Sequence, residues 1–172
     1  MRLAILVCLL LVASIECTQV EVGEITMDDY IKMVKGLLEG MNVKHDMDKI
    51  VKCMDHVPDI VHLVMATIEK IKHIDFKNIE IKLIVELIVQ IVGAVREIIQ
   101  SILPCADSSE EFKKLIEKFS SLTFDQIMKN VMGNIFLIIA DLGKIQEAVN
   151  KAQYEDLGKA IGDILFLIFL KS

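Results

Sequence analysis

DFKNIEIKLIVELIVQIVGAVREIIQSIL, residues 75–103, is the stretch on which the reading of this chain turns. Its apolar residues do not keep to one face but nearly encircle a helix. The polar remainder, Lys82, Glu86, Gln90, Arg96, Glu97 and Gln100, recurs at steps of mostly three or four. A thin polar stripe on an otherwise greasy helix belongs at the centre of a bundle. The expected fold is therefore all-α: a six- to seven-helix bundle with one long, almost fully buried central helix. Asp75 is its expected cap, and Pro104 and Cys105 end it.

Upstream of this helix, Thr26 precedes Asp28 and Asp29, a start signal for a first helix burying Tyr30, Val34, Leu37 and Leu38. Gly40 reads as its left-handed stop. His45 or Asp46 opens a shorter helix carrying Cys53, and Pro58 suits the first turn of a third. Downstream, residues 107–110 (DSSE) cap an amphipathic helix with Phe112, Leu115, Ile116 and Phe119 inward. Thr123 and Gln126 form a capping box for a helix running to about residue 152. A last helix covers residues 154–170 and ends ILFLIFL. Ile68-Glu-Lys70 before Asp75-Phe76 matches Ile116-Glu-Lys118 before Thr123-Phe124 at a constant offset, which suggests two stacked helical hairpins.

Residues 1–17 read as a cleaved signal peptide: Arg2 is followed by an apolar run, LAILVCLLLVA, too short to span a bilayer. Residues 18–172 then form a single α-helical domain. Cys8 and Cys17 leave with the leader, and a lipid-modified Cys17 is the rival reading. The remaining pair, Cys53 and Cys105, suggests one disulfide in a secreted protein, stabilising by roughly 4 kcal/mol; two buried free thiols are the alternative. No later apolar run is long enough for a membrane span, because Glu86, Gln90, Asn134, Asp141 and Asp163 interrupt them.

The net charge of −6, the absence of Trp and the lack of any basic cluster exclude nucleic acid as a partner. The hydrophobic fraction of 53% is high, and the excess must enter a core, a cavity, a partner or a lipid surface. No nucleophile–base pairing, phosphate loop or metal-ligand spacing emerges, so an enzyme is not expected and no cofactor or metal is implied. Cys53 and His56 are three residues apart, but the histidines read as solvated groups at helix ends.

Three features invite a function. Asn134 and Asp141 lie two turns apart on an apolar helix and could hold the head group of an apolar ligand; a narrow solvent-facing stripe is the simpler account. Met65, Met128 and Met132 give an adaptable interior that could remodel around a lipid, or an ordinary core. Gly158 and Gly162 form a small face for tight helix packing within the chain or for an oligomer seam.

Cys53, an Ile/Val-rich stretch, Leu-Pro-Cys105 and the ending Tyr154-x3-Gly158-Lys-x-Ile-Gly162-x-Ile-Leu165 together resemble small secreted helical proteins of ciliates, a family largely without an assigned activity. The resemblance implies secretion and an α fold, and carries over no catalytic residue.

Two functions compete: a secreted, non-enzymatic protein that binds or sequesters a lipid-like ligand, and a structural, self-assembling protein of a secretory granule or cell surface. The first calls for an enclosed apolar cavity of at least ~300 Å³. The second calls for an exposed apolar patch above roughly 600 Å², built from the glycine face and the apolar tail. A homo-oligomer and peripheral membrane contact stay open as further partners.

Overall fold

The computed structural model describes residues 25–44, 46–53, 60–76, 78–105, 110–121 and 123–170. Among them run α1 (Met27–Gly40), α2 (Met47–Cys53), α3 (Ile60–Lys72) and α4 (Ile81–Ile102), the last followed by a 3₁₀ turn, Leu103–Cys105. Then come α5 (Glu110–Ser121), α6 (Phe124–Gly133), α7 (Ile135–Asn150), α8 (Tyr154–Leu165) and a π-helical turn, Phe166–Leu170. The protein is an all-α bundle, with no strand among the described residues. The expected leader at 1–17, with Cys8 and Cys17, lies outside them, as do His45, His56, Pro58 and residues 107–109 of the 107–110 stretch expected to cap α5.

Both threonine starts form as their sequences dictate. The Asp29 N–H donates to Thr26 Oγ1 at 3.2 Å, and the Thr26 N–H donates back to the Asp29 carboxylate at 3.3 Å. Gln126 and Thr123 make the same reciprocal pair at 3.3 and 2.9 Å. Each box satisfies backbone donors that a helix leaves orphaned.

Asp75 does not cap the long helix. Its carboxylate accepts from Asn78 Nδ2 at 2.9 Å and its carbonyl from the Asn78 N–H at 3.2 Å. That turn delays α4 until Ile81, and the cap residue Glu80 makes no side-chain cap bond. The hairpin repeat therefore fails at its first landmark: Thr123 starts a helix where Asp75 closes a turn.

Nor is α4 the buried centre. It buries Ile84, Leu87, Ile88, Ile91, Ala94, Val95, Ile98, Ile99 and Ile102, but Ile81 is 50% and Val89 44% exposed, and Leu83 is exposed too. α3 packs along α4 and also against α7, and α5 meets α4 on its buried side. The opposite side faces solvent, and with it all six polar stripe residues. An apolar residue can lie at a surface at small cost, so apolarity around a helix does not by itself prove burial.

The most extensive contact in the bundle joins α1 to α8. Gly36 faces the backbone of Glu155 and Lys159, and Gly40 faces Lys159, Gly162 and Asp163. Gly158 faces the Met33 carbonyl, and Gly162 the Leu37 carbonyl. The numbering advances together on both helices, so α1 and α8 run parallel. Small residues at helical spacing let two backbones touch directly, as Gly-x3-Gly faces do elsewhere. Lys35 Nζ bridges to the Glu155 carboxylate at 2.8 Å along the seam.

Gly40 is thus a packing residue inside the helix, not its left-handed stop. Asn42 takes that role with φ 56°. Its N–H donates to the Glu39 carbonyl at 2.9 Å and the Val43 N–H to the Leu38 carbonyl at 3.0 Å, the paired bonds of a Schellman ending. Ala152, φ 52°, ends α7 the same way.

The helix expected to run unbroken from 123 to 152 bends at Asn134 (φ −123°, ψ 18°), dividing α6 from α7. The hydrogen bonds continue across the bend, Asn134 N–H to the Asn130 carbonyl at 3.1 Å and Ile138 N–H to the Asn134 carbonyl at 3.0 Å. Adjacent Gly133 and Asn134 are weak helix formers, which places the bend there.

Candidate functional site

Three segments far apart in sequence meet at one groove of about 400 Å³. The Schellman turn after α1 contributes Met41, Asn42, Val43 and Lys44; α5 contributes Lys114, Leu115 and Lys118; the π-helical turn contributes Phe166 and Leu170. Each piece follows from local chemistry. The turn at Asn42 reverses the chain so that Val43 and Lys44 leave the helix axis. On α5, Phe112, Leu115 and Phe119 are buried, while Lys114 and Lys118, one turn apart, are exposed. At the end of the chain, Ile168 and Phe169 enter the core, and Phe169 stacks on Phe119 with ring centroids 4.3 Å apart and planes at 20°. Phe166 and Leu170 remain half-buried beside the groove.

The Asn130 side-chain amide donates to the Ile168 carbonyl at 2.6 Å and so ties this turn to α6. π-helical turns are uncommon and concentrate at functional sites. The groove accordingly has an apolar floor of Met41, Val43, Leu115, Phe166 and Leu170, and a rim of three lysines. It is open to solvent, unlike the enclosed cavity expected of a carrier.

The residues singled out from sequence do not converge on it. Asn134 is half-buried, and its amide donates to the Asn130 carbonyl at 2.9 Å within the bend. Met65 is buried in the core on α3, Met128 is half-buried and Met132 is 47% exposed. Asp141 is not on a solvent stripe. At 6% exposure it is a buried charge, held by Lys144 Nζ at 2.7 Å. The bond raises the Lys144 pKa, helped by the nearby carboxylates of Asp141 and Asp163 and opposed by partial burial. A raised lysine pKa adds stability that is full below the unfolded-state value and lost as pH climbs through the raised one, so this pair persists through neutral pH.

Removing the two partners should have unequal effects. Asp141→Leu deletes a buried charge and frees a lysine that is already 61% exposed; urea unfolding should find it within about 1 kcal/mol of the parent. Lys144→Met strands the carboxylate and should cost about 1–3 kcal/mol after solvent screening. The reverse order of stabilities would show that Asp141 is held by something else.

A second cleft of about 380 Å³ lies between α7 and α8, lined by Lys144, Glu147, Ala148, Gln153, Asp156, Lys159, Ala160 and Asp163. Its charges are largely spoken for: Lys159 reaches Asp163 at 3.2 Å, and Glu147 reaches Lys151 at 2.5 Å. Neither cleft includes Asn134, Asp141, Met65, Met128 or Met132.

Gly158 and Gly162 are consumed within the chain by α1, so they are a packing face and offer no seam to a second copy. α2, which carries Cys53, packs against the 3₁₀ turn that carries Cys105; both side chains lie outside the described residues. His62 and His73 are exposed. Among the described residues no group of three or more His, Cys, Asp or Glu side chains could hold a metal, and no helix is long and apolar enough to cross a membrane.

No protein-family model, curated protein or solved structure matches this chain.

Sequence reading missed two things. The glycine spacing of α8 recurs as Gly36-x3-Gly40 on α1, and that repetition was the available signal. The groove left no comparable trace, because no one segment carries it.

Proposed function

We propose that this is an exported, non-enzymatic helical protein that carries or sequesters a lipid-like molecule in the lysine-rimmed groove, stapled by a Cys53–Cys105 disulfide. The groove carries the reading. Its volume of about 400 Å³ falls within the usual range for small-molecule sites, and its floor is apolar with a few polar groups at the edge, an open cradle in place of the enclosed cavity first expected.

Two measurements test this. Native mass spectrometry of the full chain from its source should show a monomer with a co-purified amphiphile and the mass loss of one disulfide. Titration with dodecanol should saturate at one site, and Leu115→Arg should abolish it. No binding of dodecanol by the parent protein sinks the carrier.

The assembly reading keeps one observation. Phe136 is 85% exposed, and Leu137 and Met132 are exposed beside it across the bend. The glycine face and most of the apolar tail, on which assembly first rested, are occupied inside the fold. A concentration-dependent oligomer that Phe136→Ser dissolves would favour assembly instead.

A further inference from the structure

We propose that the groove selects a single-chain amphiphile with an anionic head, a fatty-acid carboxylate, gripped by Lys44, Lys114 and Lys118. This rests on the groove being the ligand site, and it adds which chemistry enters.

Many lysines elsewhere are paired. Lys32, Lys35, Lys72, Lys82, Lys144, Lys151 and Lys159 each have a carboxylate within 4.0 Å. Among the described residues, Lys44, Lys114 and Lys118 have none, and neither do Lys52, Lys113 and Lys129; what sets the first three apart is their convergence, although the chain carries 25 acidic residues against 19 basic ones. All three line the same groove. Lys114 and Lys118 are one turn apart on α5, an arrangement in which like charges repel. An anion between them relieves that repulsion and completes the missing pairs. The apolar floor beside them takes the tail.

Size and net charge narrow the choice. A groove of about 400 Å³ fits one acyl chain, not a two-chain phospholipid. An extended anionic membrane would meet the remaining surface of a protein with net charge −6, whereas one small head meets only the rim.

Calorimetric titration of the full-length protein with dodecanoate, dodecanol and dodecylammonium tests the proposal. Dodecanoate should bind at least tenfold tighter than dodecanol at low salt, with the advantage shrinking as salt rises, and dodecylammonium should bind weakest. The triple variant Lys44→Gln/Lys114→Gln/Lys118→Gln should lose the preference for dodecanoate over dodecanol. Equal affinity of the parent protein for dodecanoate and dodecanol overturns the anion selection and leaves the carrier standing. Failure of all three to bind overturns the carrier itself. Binding to anionic phosphatidylserine vesicles without binding of monomeric dodecanoate overturns the proposal in favour of a membrane surface. The three-ligand comparison on the parent protein stands whether or not the variant folds.

Discussion

Gly158→Ala should lower the stability of this protein by about 2–3 kcal/mol, although alanine is the better helix former. The added Cβ would lie 2.0 Å from the Met33 carbonyl oxygen and 2.8 Å from the Leu37 nitrogen. Both obstacles are backbone, which cannot rotate aside as a side chain can. α1 and α8 would have to separate along their whole contact, loosening Leu37, Leu38, Ile161 and Leu165 together. The propensity gain of about 1 kcal/mol offsets only part of that. Gly93→Ala supplies the control, because nothing lies within 4 Å of a Cβ built there. It should stabilise by about 0.5–1 kcal/mol. Thermal melting reads both, with each kcal/mol moving the midpoint by roughly 2–4 °C. If Gly158→Ala melts at or above the parent temperature, the two helices are not in backbone contact.

Phe169→Ala should cost still more, about 3–5 kcal/mol. The ring is 1% exposed and stacks on Phe119, so truncation leaves a void at the junction of α5 and the chain's end. The consequence extends beyond stability. Phe166 and Leu170, on the same turn, form one wall of the groove, and their position depends on Phe169 and on the Asn130 bond to the Ile168 carbonyl. Affinity for dodecanol should therefore fall along with stability. Phe166→Ala should weaken binding while costing less than Phe169→Ala, because that ring is only partly buried. A Phe169→Ala protein that unfolds at the parent urea concentration would show that the tail is not docked.

Much of the bundle was legible in the sequence where the chemistry is local. Thr26 and Thr123 announce helices because the groups they satisfy are three residues away. The seams of α5 were legible because Phe112, Leu115 and Phe119 share a helical face. Asp75 misled because its carboxylate had two local uses, a helix cap or a turn with Asn78, and the turn won. Gly40 misled for a similar reason: a glycine near a helix end serves equally as a stop or as a contact, and only α8 decides between them.

The central-helix reading failed differently. Ile81, Leu83 and Val89 are as apolar as Ile84 or Ile88, and pattern alone cannot say which side a neighbour covers. The groove was the least legible feature. Lys114 and Lys118 read as the wet face of an amphipathic helix. They become a site only when residues 41–44 and 166–170 arrive beside them.

The pairing of α1 with α8 has a consequence in time. Lys35 and Glu155 are 120 residues apart in the chain, so α1 lacks its most extensive partner until α8 has been synthesised. Contacts of such long separation slow the search for the native state. A nascent chain would therefore lack its α1–α8 seam until α8 had been made, and closing that seam would come late in folding.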